Sequence, residues 1–222
     1  EKMCLKYKTV GSTHTFANHK GKQISVAGGD YGWAISYEET LKQLKKALNT
    51  EIDAKLQSAY QEDPTKENQA AITLKRKTKF ANTAYQMDFE NKTNDWDTQN
   101  FTEISLKDQK IYVWRKGKVV FECETISGRP VEGRKTRTGM YFIKEHQTHR
   151  VLKGDNYRTP VTYWVRITWT GTGFHCATWQ PWSRWSKDLY KTRGSHGCLN
   201  LSPENSKKIY ELTKYQEAVF IY

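Results

Sequence analysis

The stretch TEISLKDQKIYVWRKGKVVFECETI, residues 102–126, reads as three β-strands separated by two short turns. β-Branched and aromatic residues fill "TEISL", "KIYVWR" and "KVVFECETI", and "KDQ" and "KG" are polar breaks of turn length. Further strands lie downstream: "GMYFI" around Met140, "VTYWVRITW" from Val161, and "AVFIY" at the end. One late helix is marked by Ser202 as its N-cap and Pro203 at its first position.

Upstream the character changes. "ENKTNDWDTQN", residues 90–100, has the composition of a linker or long loop, and "QEDPTKENQ" is a loop around Pro64. Residues 52–60 fit either period: positions 52, 54, 56 and 60 suit a strand, and 52, 56, 59 and 60 a helix. Ser36 and Glu39 make a capping box, and Tyr37, Leu41, Leu44 and Leu48 form a helical stripe behind it. "SVAGGDYGWAI", residues 25–35, is a glycine turn flanked by strand-like residues. The expected fold class is α+β: a small mixed α/β domain over residues 1–101, then a β-rich domain over 102–222 that carries the chemistry.

A chain of 222 residues can bury a real core. Its hydrophobic content is only 36% and its mean hydropathy −0.85, but eight Trp, thirteen Tyr and eight Phe supply large apolar bodies. No apolar run approaches the ~20 residues of a membrane helix, and no signal peptide opens the chain. It starts abruptly at Glu1, which reads as a fragment whose targeting segment lies elsewhere. The net charge is +12, of which residues 103–222 carry +10 and residues 1–102 carry +2. A basic half suits a nucleic acid, an anionic membrane surface or an anionic cell wall, or is simply a solvated surface. Nucleic-acid binding has no recognition motif to support it here.

The cysteines are Cys4, Cys123, Cys176 and Cys198, and none forms a C-x-x-C pair. Cys198 lies in TRGSHGCLNLSP, residues 192–203, and admits four readings. It can be a buried small hydrophobe, a metal ligand with His175, Cys176 and His196, half of a disulfide with Cys176, or a nucleophile. Gly194 and Gly197 permit a tight backbone, and the positive neighbours are expected to lower the thiol pKa. A thiol nucleophile also needs a proton acceptor. His175, in GTGFHCATW, is the best candidate, and His196, two residues from the cysteine, is its rival. His14, His19, His146 and His149 sit in polar stretches and are expected to be solvated. Trp114, Trp164, Trp169, Trp182 and Trp185 are expected to pack. Residue chemistry favours a Cys–His acyl-transfer site.

SHGCLN (195–200), preceded by GFHCATW (173–179), resembles the L,D-transpeptidase catalytic domain family, also called YkuD. TRTGMYFI (136–143) resembles its T-x-T-G-x-[FY]-x-I segment, and NYRTPV (156–161) its tyrosine-bearing segment. The resemblance covers roughly residues 102–222. More loosely, the first hundred residues, with GGDYGW, resemble the peptidoglycan-binding domain that precedes this catalytic domain in Gram-positive enzymes. Two positions depart from the family: Cys176 follows the histidine, and Arg137 stands where proline is common.

The resemblance implies a β-rich, sandwich-like fold and a reaction on peptidoglycan stem peptides. Cys198 would attack the third residue of a stem tetrapeptide, release D-alanine and form a thioester. A side-chain amine of a second stem would then complete a 3→3 cross-link. By the same resemblance His175 is the acid/base, and Ser195, His196 and Gly197 shape the nucleophile loop. Tyr157 lies near the oxyanion, and Trp179, Arg193 and Asn200 line or brace the cleft. Carbapenem β-lactams are the implied covalent inhibitors, and no metal, cofactor or nucleic acid is expected. The implied location is extracellular, at the cell wall or the outer face of the membrane, with any membrane contact through a segment absent from this chain. A carboxypeptidase using water, or a non-catalytic wall-binding protein, would carry much of the same sequence.

Overall fold

Residues 9–32 fold back on themselves ahead of the chain's long polar middle. β1 (His14–Ala17) and β2 (Gln23–Val26) pair antiparallel, with His14 opposite Val26. Asn18 closes their turn, its Oδ1 accepting from the backbone N–H groups of Lys20 and Lys22. The computed structural model describes residues 2–6, 8–47, 49, 95–154 and 157–222. The readings for residues 52–60, the loop at Pro64, Leu48, residues 90–94 and Asn156 lie outside the described residues.

The chain divides into two compact units, residues 1–8 with 33–83 and residues 9–32 with 84–222. In the first unit, α1 (Lys2–Lys6) and α2 (Tyr37–Ala47) are the described helices. Ser36 caps α2 as its sequence predicts, its Oγ accepting from the Glu39 N–H at 3.2 Å. Of the expected apolar stripe, Tyr37 and Leu44 stay about half exposed.

Besides the β1–β2 pair, the second unit is built on two larger sheets. β3 (Phe101–Ser105), β4 (Lys110–Arg115) and β5 (Lys118–Glu124) are the three strands of the 102–126 stretch. With β6 (Gly139–Phe142) and β11 (Ala218–Ile221) they form a sheet of order β5-β4-β3-β11-β6, in which β11 runs parallel to β3. The second sheet contains β7 (Glu145–Gly154), β8 (Tyr157–Arg166), β9 (Gly173–Cys176) and β10 (Leu199–Leu201), in the order β10-β9-β8-β7. α3 (Tyr190–Arg193) and α4 (Pro203–Leu212) complete it, and Ser202 caps α4 by accepting from the Asn205 N–H.

Strand alternation explains where the cores lie. Ile104, Ile111, Val219 and Ile221 of the first sheet meet Val165, Phe174, Leu199 and Leu201 of the second, with Ile209 of α4 against them. This is a two-layer β-sandwich core. The other face of β3 and β11 presents Phe101, Ala218 and Phe220, which pack with Phe16, Val26, Tyr31 and Trp96. Phe16 stacks on Phe220 with ring centroids 4.2 Å apart. The GGDYGW segment is fastened to β6 as well: the Met140 N–H donates to the Gly28 carbonyl, and the Tyr31 N–H to the Met140 carbonyl. The expected break at 101/102 therefore does not follow the packing. Residues 9–32 cover the outer face of the β5-β4-β3-β11-β6 sheet.

The histidines correct the sequence reading. His14 is buried with Nε2 3.0 Å from Asp95, and His19 is bound through Nδ1 to the fully buried Glu103 at 2.7 Å. His146 lies on β7 with Nε2 3.0 Å from the Thr213 hydroxyl, and of these four only His149 is exposed. Polar sequence around these residues hid strands whose second face is covered. Trp169, expected to pack, is 63% exposed beside Lys144 and Arg166.

Candidate active site

β9 and β10 run side by side and parallel, with Phe174 opposite Leu199 and His175 opposite Asn200. Phe174, Leu199 and Leu201 turn inward to the sandwich core. Alternation then sends His175 and Asn200 to the opposite face. Cys198, one residue before the ladder, falls level with Gly173 on that same face, diagonal to His175 across the two strands. Gly173 contributes no side chain between them.

His175 is buried, and its Nδ1 lies 3.0 Å from the Cys176 carbonyl. A carbonyl only accepts, so Nδ1 carries the proton and Nε2 is left as the acceptor. Burial pushes the imidazole pKa down to about 4, against the hydrogen bond to Cys176 that supports the charged form. The resting ring is therefore neutral at physiological pH. Burial also pushes the Cys198 thiol up to about 11, eased by a backbone hydrogen bond from Gly173. This reverses the sequence expectation of a lowered thiol pKa. The polar loop neighbours do not govern the sulfur: Arg193 and His196 both have exposed side chains. Sγ instead lies 3.5 Å from the Gly171 carbonyl, to which the resting thiol donates.

The nucleophile loop is clipped by two hydroxyls. Ser195 Oγ donates to the Cys198 carbonyl at 2.6 Å and accepts from the Gly197 N–H at 3.0 Å. Thr136 Oγ1 donates to the Gly197 carbonyl at 2.8 Å and accepts from the Gly128 N–H at 2.8 Å. Gly197 itself has φ +121°, a conformation that side-chain-bearing residues rarely adopt. A Cβ on Gly128 would stand 2.1 Å from the Arg134 carbonyl oxygen and 2.9 Å from Gly197 Cα, so this position must also be glycine. Thr136 and Gly128 were not among the residues singled out from sequence, although Thr136 heads the TRTG segment.

One cavity of about 660 Å³ brings together Cys198, His175, Ser195, His196, Tyr157, Trp179, Arg193 and Asn200. Gly197 is buried within the loop and does not line the cavity. The His196 ring stacks on Tyr157 with centroids 5.3 Å apart, and Trp179, about half exposed, stands 5.9 Å from His175. Gln180, which the sequence reading missed, donates from Nε2 to the Arg193 carbonyl at 2.9 Å and so fixes the end of α3. Asn200 is buried, and its Oδ1 has no protein partner. A second cavity of about 420 Å³ also reaches Cys198 and shares Tyr157 and Leu152 with the first.

Cys176 opens elsewhere, into a cavity of about 330 Å³ with Val161 and Thr162, and all four cysteines are free. The disulfide considered for Cys176 and Cys198 would have to join thiols on opposite faces of the sheet. Among the described residues, no three His, Cys, Asp or Glu side chains converge to hold a metal ion.

Comparison with known proteins agrees with this geometry. The model of the L,D-transpeptidase catalytic domain family, YkuD, matches residues 99–221. L,D-transpeptidase 2 of Mycobacterium tuberculosis is 29% identical over a 113-residue alignment that covers 46% of this chain and 26% of that protein. The match thus spans about a quarter of the curated relative's length. Among solved structures, the crystal structure of a cysteine-to-serine mutant of Enterococcus faecium L,D-transpeptidase aligns over 100% of this chain and 78% of its own, at 26% identity and a TM-score of 0.70. The Ldtfm–avibactam carbamoyl enzyme aligns over 100% and 77%, at 27% identity and a TM-score of 0.69. By the family model, which covers more than half of its residues, this chain belongs to the L,D-transpeptidase catalytic domain family.

Proposed function

We propose that this chain is a cysteine-dependent L,D-transpeptidase that forms 3→3 cross-links between peptidoglycan stem peptides. The observation that carries the reading is the pair on one sheet face: a resting thiol, Cys198, and a buried neutral imidazole, His175, whose free ring nitrogen is an acceptor. His175 Nε2 takes the thiol proton as Sγ bonds to the carbonyl carbon of the third stem residue. Collapse of the tetrahedral intermediate breaks the C–N bond, and the same proton passes to the departing D-alanine amine. The thioester is then attacked by the side-chain amine of a second stem. That amine gives a proton to His175, and the released thiolate recovers it.

The oxyanion is held by the Cys198 N–H and the Tyr157 hydroxyl, each such donor being worth roughly 2.7–4 kcal/mol. Trp179, Arg193 and Asn200 bind the peptide, and Ser195, His196 and Gly197 hold the loop. Two cavities meeting at Cys198 give donor and acceptor separate approaches to one sulfur. The covalent carbamoyl enzyme formed by its structural relative supports a covalent step here, and carbapenems are the inhibitors to which we extend it. The basic surface suits a location at the cell wall or the outer face of the membrane. Residues 1–8 and 33–83 are the candidates for an accessory wall-binding role.

The test is the intact mass after exposure to a carbapenem, with the adduct mapped, followed by incubation with a stem tetrapeptide. An adduct on Cys198, release of D-alanine and a cross-linked dimer are expected. An adduct on Cys123 or Cys176 would overturn the nucleophile assignment. Tripeptide without dimer would make the protein a carboxypeptidase.

A further inference from the structure

The smaller of the two cavities at Cys198 is cationic. Among the described residues, Arg150, Lys153 and Arg166 line it and no acidic side chain does. Like charges gathered in a cleft repel one another, so something must hold them in place. Glu145, outside the lining, does this. Its Oε1 accepts from Arg166 Nη1 at 2.8 Å, its Oε2 lies 3.6 Å from Arg150 Nη1, and Trp164 Nε1 donates to Oε2 at 3.4 Å. The register of β7 on β8 sets Glu145 directly opposite Arg166.

Among the described residues one carboxylate stands against three cations, and donors remain. Arg166 Nε is buried without a protein hydrogen-bond partner. Arg150 gives Nη1 to the Gln147 side chain at 3.2 Å, leaving most of its fork. Planar guanidinium groups fit carboxylates better than any other biological anion except phosphate.

Resting on the transpeptidase reading, we propose that this cavity is a carboxylate subsite. Arg150 and Arg166 bind a free carboxylate beside the scissile bond and thereby decide which stem peptides acylate Cys198. The α-carboxylate of the departing D-alanine is the favoured ligand, because it lies only two bonds from the scissile nitrogen. A stem longer by one residue would offer a neutral amide at that place. A side-chain carboxylate on the preceding diamino acid offers the same chemistry from a second source.

Two experiments on the whole chain test this. In the first, Cys198 is alkylated with iodoacetate or with its near-isosteric neutral counterpart iodoacetamide. Each forms an Sγ–CH2 bond with loss of iodide, and the adduct is quantified by peptide mass. Arg150→Gln, which spares the Arg166–Glu145 pair, should lower the iodoacetate-to-iodoacetamide rate ratio roughly fivefold, as should Arg166→Gln. Lys118→Gln on exposed β5 removes the same charge and should leave the ratio unchanged. An unchanged ratio in both arginine variants overturns the subsite, whatever becomes of the transpeptidase reading.

In the second, tetrapeptides with a free or an amidated C-terminus, or an amidated side-chain carboxylate, are compared as donors. The C-terminal amide should lose roughly tenfold in kcat/KM with the unmodified protein, and far less with Arg150→Gln. Loss confined to the side-chain amide would place the bound carboxylate on the diamino acid. Equal rates for all three would overturn the subsite. Failure to release D-alanine from any of them would instead count against the transpeptidase reading, which the alkylation ratio does not require.

Discussion

The imidazole of His175 is oriented by the main chain of the next residue, its Nδ1 donating to the Cys176 carbonyl at 3.0 Å. That carbonyl is indifferent to the side chain beside it. Cys176→Ala and Cys176→Ser should therefore keep most of the carbapenem acylation rate, measured by mass spectrometry on reduced protein. A near-total loss in folded Cys176→Ala would bring the thiol into the mechanism. Oxidation should not bridge Cys176 to Cys198, because the two thiols open into different cavities. A mapped 176–198 disulfide under mild oxidant would contradict the sheet geometry.

The pH profile follows from the two displaced groups. With His175 pushed down to about 4 and Cys198 up to about 11, both are neutral through the range between. Acylation should fall as pH drops through about 4, where the imidazolium can no longer take a proton, and run flat through neutrality. A bell centred near 7 would indicate a thiolate–imidazolium pair instead. Stability should move in the same direction. The unfolded histidine titrates near 6.5 and binds its proton before the folded one does, so stability is lost as pH falls from about 6.5 to about 4. The loss is about 3 kcal/mol from this group, and His175→Gln should remove that portion.

Thr136 tests the loop that presents the nucleophile. Its hydroxyl joins the Gly128 N–H to the Gly197 carbonyl, and both hydrogen bonds are buried. Thr136→Val keeps the shape and leaves both backbone groups unpaired, at a cost of about 1–3 kcal/mol each. Acylation of Cys198 should slow by at least tenfold, and Thr136→Ser should restore most of it. A Val variant with native acylation kinetics would show that Ser195 alone holds the loop.

The sandwich and the site differ in how legible they were. Residues 102–126 announce three strands because Ile104, Ile111 and Val113 alternate with residues suited to the other face. Cys198 and His175 were legible because few residue types can do thiol chemistry. The pKa of Cys198 was not legible, since it depends on burial and on the carbonyl of Gly171, neither of which the adjacent residues encode. β7 was missed because Glu145–Gly154 is polar and only partly covered, so it lacks an apolar alternation. Residues 9–32 were placed with the wrong unit for a different reason. Phe16 and Phe220 are joined only by tertiary packing, which no local pattern reveals.

His175 and His196 separate by environment, and the last prediction rests on that difference. Both line the cavity with Cys198, so lining alone does not choose between them. His175 sits on a strand with one nitrogen committed to a carbonyl, which fixes its tautomer and aims the other nitrogen into the site. His196 is exposed and its ring stacks on Tyr157, a contact that positions an aromatic wall and leaves its tautomer unset. General acid–base help is worth about 10²–10⁴-fold, whereas an exposed aromatic contact is worth about 0.5–1.5 kcal/mol, at most about tenfold. His175→Ala should therefore slow carbapenem acylation by at least a hundredfold, and His196→Ala by tenfold or less. Tyr157→Phe should keep the stack while removing the hydroxyl, so it should slow acylation more than His196→Ala does. Equal losses at the two histidines, or a larger one at His196, would exchange their roles and make the exposed ring the base.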